Sequence, residues 1–144
     1  MLTESRMRIV FHGAAVLLVG LLCGLPTTTE HEPMRLWHTA HEALIMIGTL
    51  MIALSSALPL LALEAREARA LVWALLGMGY GLMGGVTLQA IGGQSAIGPS
   101  SSPLLMIAFL FNVVGILGSV LSASLTMIGA NPARRAAAAE TARS

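Results

Sequence analysis

Lysine is absent from this 144-residue chain, cysteine occurs once, aromatic residues make up 4% and charged residues only 10%. Eight arginines stand against seven acids, and the resulting net charge of +1 leaves no basic stripe for a phosphate backbone. No aromatics interleave with the arginines to stack bases, so nucleic acid is excluded as a partner. The lone Cys23 rules out an internal disulfide and any cysteine-rich metal site. It is expected to be a buried structural thiol. Leu22 is too large for the small residue that a lipoprotein signal places before its cysteine, and no A-x-A-like cleavage site follows Leu25. The first apolar segment is therefore read as retained.

Apolar surface is what the chain has in abundance. Hydrophobic types account for 56% of residues and the mean hydropathy is +0.80. Charges cluster at segment ends instead of recurring every few positions, so no helix has the polar face of a soluble bundle. A span of the hydrocarbon core takes about 20 residues at about 1.5 Å each. Four stretches meet that length, at about 7–25, 37–63, 70–91 and 103–128. Between them lie a polar loop from Pro26 to Pro33, a short charged turn from Glu64 to Arg69, and a Gly/Ser/Pro loop from Gly92 to Ser102. The expectation is an all-α integral membrane four-helix bundle forming one domain over 1–130, with an Ala/Arg tail over 131–144 that is frayed or disordered.

Arginine placement predicts orientation, because cytoplasmic loops retain positive charge. Arg6 and Arg8 precede the first span, Arg66 and Arg69 separate the second and third, and Arg134, Arg135 and Arg143 follow the fourth; Arg35 alone lies opposite. Both termini are thus expected in the cytoplasm, with the chain in a bacterial-type inner membrane. Small residues recur in the third span (Gly77, Gly79, Gly81, Gly84, Gly85) and the fourth (Gly115, Gly118, Ser119, Ser122, Ser124). They predict close helix packing within the chain, and allow a site shared between subunits.

Polar side chains inside a membrane are costly and are candidates for function. His38, His41 and Glu42 fall in the outer part of the second span, Gln89 in the outer part of the third and Asn112 in the outer half of the fourth. Tyr80 lies near mid-membrane between glycines. His38 and His41 are three apart and share a helix face, which suits two ligands to one metal, although a closed zinc site would need Glu42 or a second subunit to complete it. A haem iron asks for less: one imidazole whose other nitrogen is hydrogen-bonded. An interfacial His/Trp anchor at the headgroups is the plainer alternative. His12, near the arginine-rich end of the first span, lies about 20 Å or more from His41 by residue counting. The two histidines can therefore flank only something large.

Several of these residues together carry a family resemblance. His12-Gly13 opens the first helix, Ala40-His41 is followed by Gly48 in the second, Pro59 closes it, Gly77-Met78-Gly79-Tyr80 marks the third, and Gly93-Gln94-Ser95 leads to Pro99 in the loop. Over roughly residues 8–128 the chain resembles the styrene oxide isomerases, small four-helix membrane proteins. The resemblance implies a haem b bound near a subunit interface of a homotrimer, with His41 as axial ligand and His38 and His12 as further cofactor-binding candidates. It implies ferric iron acting as a Lewis acid on the epoxide oxygen of a small hydrophobic substrate, followed by a 1,2-shift to a carbonyl compound. Tyr80 matches the family's pocket tyrosine, and Asn112 joins it as a catalytic candidate.

The chain departs from the family where Ile47 and Leu82 stand in place of asparagines. A more apolar pocket is expected, for which Asn112 or Gln89 would compensate. Two other readings remain at this point: a non-catalytic membrane subunit that binds haem or a partner protein, and a small multidrug-type transporter. The transporter needs an acid deep within a span, and Glu42 lies near its helix end.

Overall fold

The computed structural model describes residues 2–25 and 32–132, with 134, 136 and 140 beyond them. Their backbone forms four long helices: α1 (Leu2–Cys23), α2 (Glu32–Ala57), α3 (Ala65–Gly92) and α4 (Pro103–Ala130). Each is long and apolar enough to cross a bilayer. Large apolar side chains on the outside, among them Phe11, Leu18, Leu110, Leu117 and Val120, are exposed as a lipid-facing surface requires. The chain is a multi-pass, all-helical membrane protein, and four spans return the C-terminal end to the side of the N-terminal one.

Local chemistry moves three of the expected boundaries. Pro59 has no N–H for the helical ladder and its ring crowds the preceding turn. α2 therefore ends at Ala57, and Leu58–Leu60 continue as a single 3-10 turn. The charged segment expected to be a turn is instead the first turn of α3. There the Glu67 carboxylate accepts the Glu64 N–H at 2.9 Å in a capping box, so the helix starts at Ala65. α3 stops where Gly93 takes φ 64°, a left-handed conformation open to glycine. α4 starts at Pro103, whose missing N–H is no loss at a helix N-terminus. The loop residues 26–31 lie outside the described residues.

The helices pack as two antiparallel hairpins, α1 with α2 and α3 with α4, joined chiefly through α3. Glycines set both crossings. A methyl group on Gly48 would lie 2.7 Å from the Gly13 carbonyl oxygen and the Leu17 nitrogen. One on Gly115 would lie 2.7 Å from the Leu82 nitrogen, and one on Gly118 2.7 Å from the Ala74 carbonyl oxygen. Gly81, Gly85, Gly115 and Gly118 thus serve contacts within the chain, whereas Gly77 borders open space and Ser124 is exposed. Ile9, Val16, Leu44, Met51, Leu71 and Leu75 fill the core between α1, α2 and α3, and Cys23 is buried there as a free thiol. α4 packs mainly on α3 and is the least buried span. At the start of the tail, the Arg134 guanidinium donates to the Glu67 carboxylate at 3.1–3.3 Å. The tail residues 133, 135, 137–139 and 141–144, Arg135 and Arg143 among them, are outside the described set.

Candidate functional site

The polar residues singled out above gather at two levels of the bundle. At the level where α1 ends and α2 begins, His41 reaches from α2 to α1 and its Nδ1 lies 2.8 Å from the Gly20 carbonyl oxygen. A carbonyl only accepts, so Nδ1 carries the proton, and in the neutral imidazole Nε2 keeps its lone pair. The ring lies against Gly24, where a methyl group would sit 2.5 Å from Nδ1. Gly20 is equally necessary: a methyl there would lie 2.9 Å from the Ile45 nitrogen. Two glycines four apart thus bring the α1 backbone close enough to hold the imidazole. That donor set, one oriented and half-buried imidazole with a free nitrogen, suits an axial haem ligand.

His38 stands differently. It is exposed on α2 and its Nε2 lies 3.2 Å from the Glu42 carboxylate one turn on. Its ring is stacked roughly parallel to that of His41, with centroids 6.4 Å apart. Among the described residues no three His, Cys, Asp or Glu side chains converge as a metal cluster. A closed zinc site completed by Glu42 within one chain therefore finds no support.

Gln89 and Asn112 occupy the same level between α3 and α4. The Gln89 Oε1 accepts the Ala96 N–H at 3.1 Å, and the Asn112 Nδ2 donates to the Ala96 carbonyl at 3.4 Å. Together they satisfy both backbone groups of one buried loop residue. Gly85 leaves the space that the Asn112 amide fills. These side chains border a small cavity of about 260 Å³ that also meets Leu82 and Phe109.

At the second level, nearer the N-terminal end of α1, His12 Nδ1 lies 2.7 Å from the Tyr80 phenolic oxygen, with the two rings edge to face. The register of α1 against α2 places His12 eight to twelve positions below the Gly20–Gly24 cradle of His41. At about 1.5 Å per residue the separation is about 12–18 Å, shorter than residue counting suggested and still too long for one small ion.

Between α2, α3 and α4 runs an open groove of about 680 Å³. Ile47, Leu50, Leu54, Met78, Leu82 and Val86 give it an almost wholly apolar lining, and Ser119, Ser122 and Thr126 contribute the hydroxyls. Those hydroxyls donate to carbonyls of their own helix, so their oxygens remain available only as acceptors. Ile47 and Leu82, the two departures noted in the sequence, both line this groove. Tyr80 is not among its lining residues, and Gln89 and Asn112 belong to the neighbouring cavity. Sequence reasoning missed the groove and the Gly20 and Gly24 cradle; the glycines near the end of α1 were the available signal.

The sequence profile of the styrene oxide isomerases matches residues 5–131, nearly the whole chain. The chain belongs to the styrene oxide isomerase family. Membership of this family suggests isomerase chemistry on an epoxide, in keeping with four apolar spans and a groove suited to a hydrophobic molecule. No curated protein and no solved structure matches the chain.

Proposed function

We propose that this styrene oxide isomerase family member is a haem b-dependent membrane enzyme converting a small hydrophobic epoxide to a carbonyl compound. The observation that carries the reading is the His41 imidazole, with Nδ1 tied to the Gly20 carbonyl and Nε2 free, in a chain matched by the family over residues 5–131. His41 would hold the iron. When bound, the haem would supply a Lewis acid that polarises the epoxide oxygen. His12 is too far from the His41 nitrogen to be a second ligand within one chain, and His38, its Nε2 paired with the Glu42 carboxylate, is proposed as a flanking group.

The chain's own part is binding, orientation and exclusion of water. The apolar groove holds the hydrocarbon of the substrate and keeps water from the opened ring, which favours a carbonyl product over a diol. Tyr80, its phenol oriented by His12, and Asn112, its amide seated over Gly85, are the polar groups proposed to meet substrate in the assembled protein. A homotrimer is proposed with it, the exposed faces of α2 and α4 providing contact surface. Both termini are proposed to be cytoplasmic, from the arginine distribution, in a bacterial-type inner membrane.

A second reading has one observation in its favour. Ile47 and Leu82 make the groove apolar where the family resemblance led to amides, which suits a haem-binding subunit without turnover. The transporter reading has none, since Glu42, ten residues into α2, is exposed and paired with His38 on the outside of the helix. The test is purification from haem-supplied cells followed by an epoxide assay. A Soret band with an aldehyde product supports the isomerase, a Soret band without turnover supports the second reading, and a colourless folded protein overturns both.

A further inference from the structure

α1 and α3 run parallel, since Arg8 shares a cleft with Val72 and, further along both helices, His12 meets Tyr80. Their N-terminal turns therefore lie side by side at one end of the bundle, and between them is a cleft of about 160 Å³. Glu4, Ser5, Arg8, Arg69, Val72 and Trp73 line it. We propose that this cleft binds the phosphate of an anionic phospholipid.

Three features carry the proposal. First, the charge is built and unspent: Arg8 has no ion pair among the described residues, and Arg69 uses only its Nε, on the Ala65 carbonyl of its own helix at 3.4 Å. Arg134 shows the contrast, being engaged by the Glu67 carboxylate. Glu4 shares the rim without pairing to either arginine, so the cleft keeps an excess of one positive charge. Two parallel helix N-termini add their positive dipole ends.

Second, depth suits a headgroup. Arg8 lies one turn, about 6 Å, further into the bundle than Glu4, a distance that an arginine side chain can cover back to the rim. Third, the surroundings suit a lipid better than a free anion. Val72 forms a buried apolar wall, and Trp73 is 66% exposed beside it, the placement of an indole at a membrane boundary. Phe11, three residues beyond Arg8 and 70% exposed, continues the same face into the bilayer where acyl chains would lie. Paired arginines in a pocket between spans are the chemistry that recognises a lipid phosphodiester.

The test uses the full chain carrying Trp37→Phe, so that Trp73 is the sole tryptophan, in nanodiscs containing phosphatidylglycerol or phosphatidylcholine brominated near the headgroup. Trp73 should be quenched more by the brominated phosphatidylglycerol at equal bromine content. The preference should fall by about fivefold for each arginine removed in Arg8→Gln and Arg69→Gln. It should survive in the charge-matched Arg6→Gln/Arg66→Gln protein, with helix content by circular dichroism unchanged in all. Equal quenching by the two lipids overturns the proposal, as does an equal loss in the charge-matched control. Abolition of the preference by millimolar inorganic phosphate also overturns it, by assigning the cleft to a free anion.

Discussion

His41 and Gly20 are joined across the α1–α2 crossing by a hydrogen bond of 2.8 Å, from imidazole Nδ1 to backbone carbonyl. A side-chain acceptor there would move with its own rotamers, whereas a helix carbonyl is held by the backbone. The tautomer and the ring plane of His41 are thus properties of helix packing. Gly24 supplies the space for the ring.

If His41 is the iron ligand, His41→Ala will lose the Soret band and His38→Ala will keep it. Gly24→Ala is the finer probe, because its methyl group would press on Nδ1 from 2.5 Å and turn the ring without removing the ligand. Haem affinity should fall by about 10–100-fold, the usual effect of disturbing a ligand's outer partner. Haem titration of the apoprotein measures it, and unchanged affinity would separate the Gly24 cradle from iron binding.

The His12–Tyr80 bond spans 68 positions of sequence and ties α1 to α3. Tyr80→Phe and His12→Ala should each destabilise the bundle by about 1 kcal/mol, and a double-mutant cycle should return a coupling of about 0.6–1.7 kcal/mol. Unfolding in mixed micelles reads both quantities. Additive single effects would show that the two side chains do not act as a pair.

Glycines in α3 should differ sharply in what they tolerate. At Gly81 a methyl group would meet the backbone of Gly115 and Phe111, which cannot rotate away, while at Gly77 the nearest atom is a Val114 methyl at 4.0 Å. Gly81→Ala is expected to cost about 1–3 kcal/mol through separation of α3 and α4. Gly77→Ala should be neutral or stabilising, since alanine favours the helix by about 1 kcal/mol. Thermal unfolding in detergent, compared at equal helix content, distinguishes them.

Hydrogen exchange tests the clamp on the loop before α4. Gln89→Ala removes the acceptor for the Ala96 N–H and should speed exchange of that amide about tenfold or more, given about 1–3 kcal/mol for a buried donor left unpaired. Asn112→Ala removes only the donor to the Ala96 carbonyl, so its effect on the same amide should be smaller. Equal acceleration by the two variants would mean that the loop opens as a unit.

The apolar runs of α1 to α4 determine by themselves that this chain crosses a membrane four times. Each run is local, and the cost of burying a backbone in lipid admits helices and little else. His41 stood out as a candidate for a related reason, since an imidazole inside an apolar run is visible without knowledge of its neighbours. Boundaries were less legible, because Glu64 and Glu67 read as a polar turn until their reciprocal capping extends α3 backward. What only the tertiary structure decided was partnership: Gly20 as the acceptor for His41, His12 as the partner of Tyr80, Ala96 as the object of Gln89 and Asn112. It also brought Ile47 and Leu82 into one groove. Those pairings depend on the rotation and register of each helix against the next, which are set by close backbone approaches at Gly13, Gly48, Gly81 and Gly115. Hydropathy along one helix carries no record of which glycine of another helix it will meet.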